Sequence, residues 1–285
     1  MTPSAKRQAI ALLVQEHRQP IRRACQAVRL SRAAYYRPPA FALARDAEVI
    51  EALTALVAEN SRWGFWKCMD KLVERKKPWN PKRVYRVYCA LRLNLPRRVR
   101  RKPPLRPRQP MAAPTELNQV WALDFMHDRL YDGRPFRTLN ILDEANREAL
   151  AIEPATSLPA WRVVTVLDEL ITVHGAPYAL RLDNGPEFVS DAIAVWAATH
   201  AIALRFIQPG KPDQNAYIER FNRTYREEVL DAHLFDSLEE VRTLTADWLR
   251  RYNTERPHAS LGGVPPLTFL PRPTSTWEYH LQLST

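Results

Sequence analysis

Glycine is scarce in this sequence, at seven residues in 285, while proline reaches 24. That imbalance argues against floppy Gly-rich connections and for stiff ones. Cysteine is scarcer still. Cys25, Cys68 and Cys89 are far apart and form no CxxC or Cys/His spacing, which excludes a disulfide framework and a zinc finger. No apolar run approaches the roughly 20 residues needed to cross a bilayer, and the start MTPSAKRQ has no signal-peptide core. A cytosolic protein is the expectation. Internal repeats are absent too. What remains is a globular composition, 46% hydrophobic and 26% charged, in a chain long enough for two or three domains.

Charge is plentiful and unevenly placed. Residues 1–110 carry 26 Lys and Arg against 7 Asp and Glu, a net of +19, while the remainder carries 16 against 24, a net of −8. A basic front on a mildly acidic back fits a nucleic-acid-binding region joined to a region that holds cations.

The front divides into two helical regions. Across residues 1–39, Ile10, Leu13 and Val14 make one apolar stripe and Ile21, Ala24, Cys25 and Val28 another, with Ser31 placed to cap a third helix. This is a helix-turn-helix pattern. Its candidate DNA contacts are Arg22, Arg23, Arg32, Tyr35 and Arg37, and its alternative is a plain three-helix unit with a solvated basic face. Across residues 40–95, Leu43, Ala47, Ile50, Leu53 and Val57 share one helix and Cys68, Met69 and Leu72 the next. Asn80-Pro81 starts a third, turning Val84, Tyr88 and Leu91 inward and leaving Lys82, Arg83 and Arg86 for phosphates. The aromatic cluster Trp63, Phe65 and Trp66 reads as core rather than as a base-stacking surface. Residues 96–114, with six prolines, seven basic residues and no acid, read as an extended linker.

From residue 115 to 230 strands and helices alternate. Strands are expected at Gln119 to His127, Phe136 to Asp143, Glu148 to Glu153, Tyr178 to Asp183 and Ile202 to Ile207. Helices are expected at Ala160 to His174, Phe188 to His200 and Gln214 to Leu230. The order β-β-β-α-β-α-β-α is that of an α/β, RNase H-like fold, a mixed five-stranded sheet flanked by helices. Residues 231–285 form a helical closing segment and tail.

Three carboxylates stand out. Asp124 interrupts the apolar run Val120-Trp-Ala-Leu-Asp-Phe-Met126, Asp183 ends a strand before Asn184-Gly185, and Glu219 shares a helix side with Arg223 and Arg226. Singly, each has a structural alternative: a hydrogen-bonded Asp, an Asx-turn, an exposed i, i+4 ion pair. As a set of hard oxygen donors they suit a pair of Mg²⁺ ions, with Mn²⁺ as a substitute, of the kind that activates an oxygen nucleophile and stabilises a leaving oxyanion in phosphodiester chemistry. Lys211, Gln214, Asn215, Arg223 and Arg226 are candidates for holding DNA nearby. The histidines read as structural.

These residues resemble the DDE transposases and retroviral-type integrases, and more closely the second-reading-frame (OrfB) transposases of the insertion-sequence-three family. The resemblance rests on Val120-Trp-Ala-Leu-Asp-Phe, Thr138-Leu-Asn, Asn146-Arg-Glu-Ala-Leu, Leu182-Asp-Asn-Gly-Pro-Glu-Phe188, Gln208-Pro-Gly-Lys-Pro212 and Asn215-Ala-Tyr-Ile-Glu-Arg-Phe-Asn-Arg223. Tyr252-Asn253, Arg256-Pro-His258 and Leu261-Gly-Gly263 add to it, as do the 35 residues between Asp183 and Glu219. It implies that Asp124 bridges both ions while Asp183 and Glu219 complete one each. It also implies cleavage and strand transfer at element ends, a circular intermediate, a homo-oligomer on terminal inverted repeats and target DNA, and a small upstream-frame (OrfA) partner. A non-catalytic regulator derived from a transposase, and a nuclease that hydrolyses without joining, stay open at this point.

The charge division yields a binding prediction. A fragment of residues 1–110 should bind duplex DNA with an affinity that falls steeply with salt, by a slope of about 0.9 per phosphate neutralised. Equal affinity and equal salt slope from a fragment of residues 115–285 would refute it.

Overall fold

The computed structural model describes residues 3–36, 45–95, 114–208 and 212–272. The chain divides into two compact units between Ala52 and Leu53. In the first, α1 (Pro3–Gln15), α2 (Ile21–Val28) and α3 (Arg32–Tyr36) pack around Ile10, Ala24 and Cys25, with Tyr35 resting on that core. The Ser31 hydroxyl accepts from the Ala34 N–H at 3.1 Å, the capping bond its position calls for. Helix α4 (Ala47–Glu59) follows, and it buries Val49, Leu53 and Leu56. Ala47, expected on that stripe, is exposed. Leu43 lies outside the described residues.

After the end of α4, which falls in the second unit, come α5 (Phe65–Glu74) and α6 (Pro81–Ala90). The Asn80 side chain accepts from the Lys82 N–H at 2.9 Å and Pro81 fills the first turn, so α6 starts where its sequence says. Its buried residues are Val84, Val87 and Tyr88.

Strands β1 (Val120–Arg129), β2 (Pro135–Asp143), β3 (Ala149–Ala155), β4 (Ala179–Leu182) and β5 (Ala203–Phe206) make one mixed sheet in the order β3-β2-β1-β4-β5. The first three form an antiparallel meander, and β4 and β5 join parallel to β1. Period-two alternation sorts the side chains. Trp121, Leu123, Leu139 and Ile141 face α7 (Ala160–His174) and α8 (Asp191–Thr199). Ala122, Met126 and Leu142 face α9 (Ala216–Tyr225) and α10 (Leu238–Thr254). This is the α/β, RNase H-like arrangement expected, helices on both faces of a mixed sheet.

One expected helix differs. Gln214 to Leu230 is a 3-10 turn (Pro212–Asn215), the α-helix α9 and a π-turn (Arg226–Leu230). The extra residue per turn lets Val229 and Leu230 both reach the core beside Phe235 and Trp248. After α10 come a 3-10 turn (Ala259–Leu261) and α11 (Pro266–Phe269). Gly263 sits at φ +83°, and a Cβ there would come within 3.0 Å of the Asp70 carboxylate, so α5 can approach this turn only because it is glycine.

Two polar clusters fasten the closing segment to the sheet. Asn253 of α10 accepts from the Ala149 N–H at 2.9 Å and donates to the Ala149 carbonyl at 2.8 Å, as a neighbouring strand would. Buried Arg272 donates to Glu148 at 2.5 Å and Asp143 at 2.7 Å, and also to the Asn118 side chain at 3.0 Å. Burial pushes both carboxyls upward, and the guanidinium opposes that push.

Removing the cation should therefore be expensive. Arg272→Met is expected to lower stability by about 3–5 kcal/mol at pH 7. The deficit should shrink toward pH 4, because protonating Asp143 and Glu148 removes the uncompensated charge. Chemical denaturation at the two pH values measures both effects, and an equal loss at each would contradict the assignment.

Candidate active site

Asp124 lies on β1, the central strand, pointing to the α9 face of the sheet. Directly across the antiparallel ladder its partner is Asn140 of β2. On α9 the stripe Ile218, Phe221 and Tyr225 packs against the same face, and Asn222 falls inside that stripe rather than outside it. The result is a buried chain of amides. Asn140 Nδ2 donates to Asn222 Oδ1 at 2.7 Å, and Asn222 Nδ2 donates to Asp124 Oδ2 at 2.7 Å. The other oxygen, Oδ1, accepts from the Phe125 N–H at 2.9 Å. Desolvation pushes the Asp124 carboxyl up to about 6 against these donors, and the nearby charges of Asp183 and Glu219 push the same way.

Those two charges arrive from separate elements. Asp183 follows the last residue of β4, and its Oδ1 accepts from the Gly185 N–H at 2.9 Å, an Asx-turn. A Cβ at residue 185 would lie 3.0 Å from Asp183 Oδ1, so a larger residue there would press on that carboxylate. Glu219 is exposed in the first turn of α9. Asp183 and Glu219 thus both lie within electrostatic reach of Asp124. Among the described residues, no three His, Cys, Asp or Glu side chains are already gathered tightly enough to hold an ion. A buried carboxylate whose ionisation is opposed by two neighbouring carboxylates still fits a hard divalent cation, whose charge relieves that cost.

Comparison with known proteins bears on this geometry. Profiles described as "Integrase core domain" match residues 114–212 and 200–266. The insertion element IS407 31.7 kDa protein of Burkholderia multivorans is 38% identical over 260 residues, 90% of this chain and 92% of that one. The insertion element IS476 39.2 kDa protein of Xanthomonas euvesicatoria is 37% identical over 269 residues, 94% of this chain and 78% of that one. The chain belongs to the insertion-element transposases with an integrase core. InsK, named as a transposase of insertion sequence element IS150 in Escherichia coli (strain K12), is 23% identical over 79% of this chain and 86% of that protein. Among solved structures, a simian T-cell lymphotropic virus intasome chain is 14% identical, with a TM-score of 0.49 over 78% of this chain and 76% of that one. As a member of this family the transposase is a DNA-cutting and DNA-joining enzyme.

The residues expected to hold DNA are dispersed. Arg22, Arg23 and Arg32 are exposed on the first unit, where Tyr35 is half-buried; Arg37 lies outside the described residues. On α6 of the transposase, Lys82 and Arg86 are exposed and Arg83 is partly so. Near the carboxylates, Arg223 is exposed, while Lys211 lies outside the described residues. Three expectations meet a different geometry. Asn215 is only 4% exposed, and its Oδ1 has no hydrogen-bond partner among the described residues. Gln214 turns back to the loop, accepting from the Gln208 N–H at 2.8 Å. Arg226 clamps the π-turn to β1, donating to the His127 carbonyl at 2.7 Å and to Asp128 at 3.1 Å. The core reading of the aromatic cluster holds for Trp63, 4% exposed, and fails for Trp66, 69% exposed. Histidine 258 is structural as expected; burial, with help from Arg256, pushes it down to about 2.

Asn140 and Asn222 were missed by the sequence reading. Each is a polar residue at a position that strand alternation or helical periodicity assigns to the core, and that conflict is the signal. Because Asn222 donates to the charged form of Asp124, removing it should raise the Asp124 pKa above about 6. Asn222→Ala followed by ¹³C carboxyl titration of the metal-free protein tests this; an unchanged or lower midpoint would rule the donor out.

Proposed function

We propose that this transposase cuts and joins DNA strands at the ends of an insertion element, using Asp124, Asp183 and Glu219 as the ligands of two divalent ions, Mg²⁺ or in its place Mn²⁺. The observation that carries the reading is the electrostatic convergence on Asp124, whose carboxyl stands near 6 with Asp183 and Glu219 among the causes. A structural carboxylate gains nothing from two uncompensated like charges beside it. A metal ligand does.

When bound, the ions would supply nucleophile activation and leaving-group stabilisation. The chain's residues do the rest. Asp124 would contact both ions, and Asn222 backed by Asn140 would fix the plane of its carboxylate. The Gly185 N–H would orient Asp183, and α9 would present Glu219 from the opposite side. Water attacks a phosphodiester at the element end and releases a 3′-OH. That hydroxyl then attacks a second phosphodiester, and its 3′ bridging oxygen leaves, so one bond forms as one breaks and no covalent enzyme intermediate is needed. Residues 1–39 and 40–95 would bind terminal repeats, tethered by residues 96–114 to the core at 115–230 and its closing segment, 231–285. Lys211, Gln214, Asn215, Arg223 and Arg226 would steady DNA beside the carboxylates. A homo-oligomer on DNA, an upstream-frame partner and a circular intermediate belong to the same proposal, the last two resting on the sequence resemblance alone. So does a nucleoid location; no helix among the described residues is long and apolar enough to cross a membrane.

Neutralising the ligands separates chemistry from binding. Asp124→Asn, Asp183→Asn and Glu219→Gln should each lower cleavage and strand transfer together by at least about a thousandfold with Mg²⁺. Affinity for element-end DNA should persist, because removing acid cannot weaken attraction to phosphate. Full strand transfer in any one variant would remove that residue from the site. Binding lost in step with melting temperature would instead mark a structural carboxylate.

A further inference from the structure

Outside the carboxylate site, the α5–α6 pair carries an aromatic surface that the core reading of the sequence did not expect. Phe65 lies between Trp66 and Tyr85, with ring centroids 5.1 and 4.9 Å away in edge-to-face contact. The two outer rings are 69% and 51% exposed. Helical spacing puts Lys82 one turn before both Tyr85 (i, i+3) and Arg86 (i, i+4), and all three are exposed on α6. The charge along α6 is of one sign, Lys82, Arg83 and Arg86 with no Asp or Glu, while on α5 Asp70 lies one turn after Trp66. Between Glu74 and Glu116 the sequence has fourteen Lys and Arg and no Asp or Glu.

Exposed indole and phenol rings lose solvation free energy to water that a packed core would recover, so a row of them on a surface calls for an occupant. A protein partner would favour an apolar centre with few charges of either sign around it. The cations of α6 beside open aromatic rings match something else: a strand that brings π-faces and phosphates together. Paired bases within a duplex hide those faces, and unpaired ones offer them.

We propose that Trp66, Phe65 and Tyr85 form a stacking platform for unpaired DNA bases, with Lys82 and Arg86 holding the adjoining phosphates. The platform deepens the proposed function, on which it rests for its choice of DNA, by assigning this helix pair a strand-opened or single-stranded segment rather than duplex. Its place supports that role. Lys67, the residue after Trp66, reaches Glu228 of the π-turn at 4.0 Å, so α5 is joined to the segment that continues the helix bearing Glu219.

The test uses the full chain and two oligonucleotides of equal paired length, one blunt and one with a four-nucleotide single-stranded tail carrying 2-aminopurine. The wild type should quench the tail fluorescence on binding. Trp66→Ala/Tyr85→Ala should lose most of that quenching and bind the tailed DNA at least about tenfold more weakly. Its affinity for blunt duplex should change less than twofold, and Trp66→Phe should restore most of the tail affinity. Because both rings are exposed, melting temperatures should match. Equal losses on both DNAs, or none on either, would overturn the platform. So would a sedimentation mass that drops in the variant without DNA, which would mark the surface as a contact between copies. None of these readouts requires catalysis, so a failure of strand transfer would count against the proposed function and leave this result standing or falling separately.

Discussion

A carboxylate on the central strand of a sheet, short of water, sets the terms for the catalytic half of this protein. Asp124 ionises at a cost, and the fold offsets part of that cost with two N–H donors, one from its own backbone and one from Asn222. The second donor demands that α9 lie flat on β1 and β2, which Ile218, Phe221 and Tyr225 secure through packing. The same packing fixes where Glu219 stands, one turn before Asn222. The anchoring of one active-site carboxylate and the delivery of another are therefore one structural event. Asn140 completes it by tying the helix amide to the neighbouring strand.

The π-turn after α9 links that event to the closing segment. Arg226 fastens its start to β1, and Glu228 within it receives Arg256 at 2.8 Å and the Trp248 indole at 3.0 Å. Burial raises the Glu228 carboxyl, yet Arg256 and Lys67 outweigh it and hold the group below the usual carboxylate range. So the motifs Tyr252-Asn253 and Arg256-Pro-His258 touch no reacting atom that the site requires. They brace the far end of the helix that does.

Much of this was legible in the sequence, for local reasons. Alternation placed all five strands, Asn80-Pro81 and Ser31 marked helix starts, and the spacing of Asp183 and Glu219 pointed to one site. What escaped depends on distant partners. Asn140 and Asn222 are 82 residues apart, and neither suggests a role until β1 and β2 are set beside α9. The π-turn escaped because Ile218, Phe221, Tyr225 and Val229 fit an uninterrupted helix equally well. Trp66 escaped because aromatic identity predicts burial on average, while its helix offers too little surface to cover three neighbouring rings. Arg226 and Asn215 sit in motifs that read as DNA contacts, and the β1 acceptors of the first and the burial of the second show only once the elements are packed together.

The side chain of Asn253 has one more consequence. By occupying both hydrogen-bonding groups of Ala149, it does at the rim of the sheet what another polypeptide would otherwise be free to do. Strand β3 is thus denied to zippering with a second polypeptide at that point, without spending a residue of any other strand to guard it.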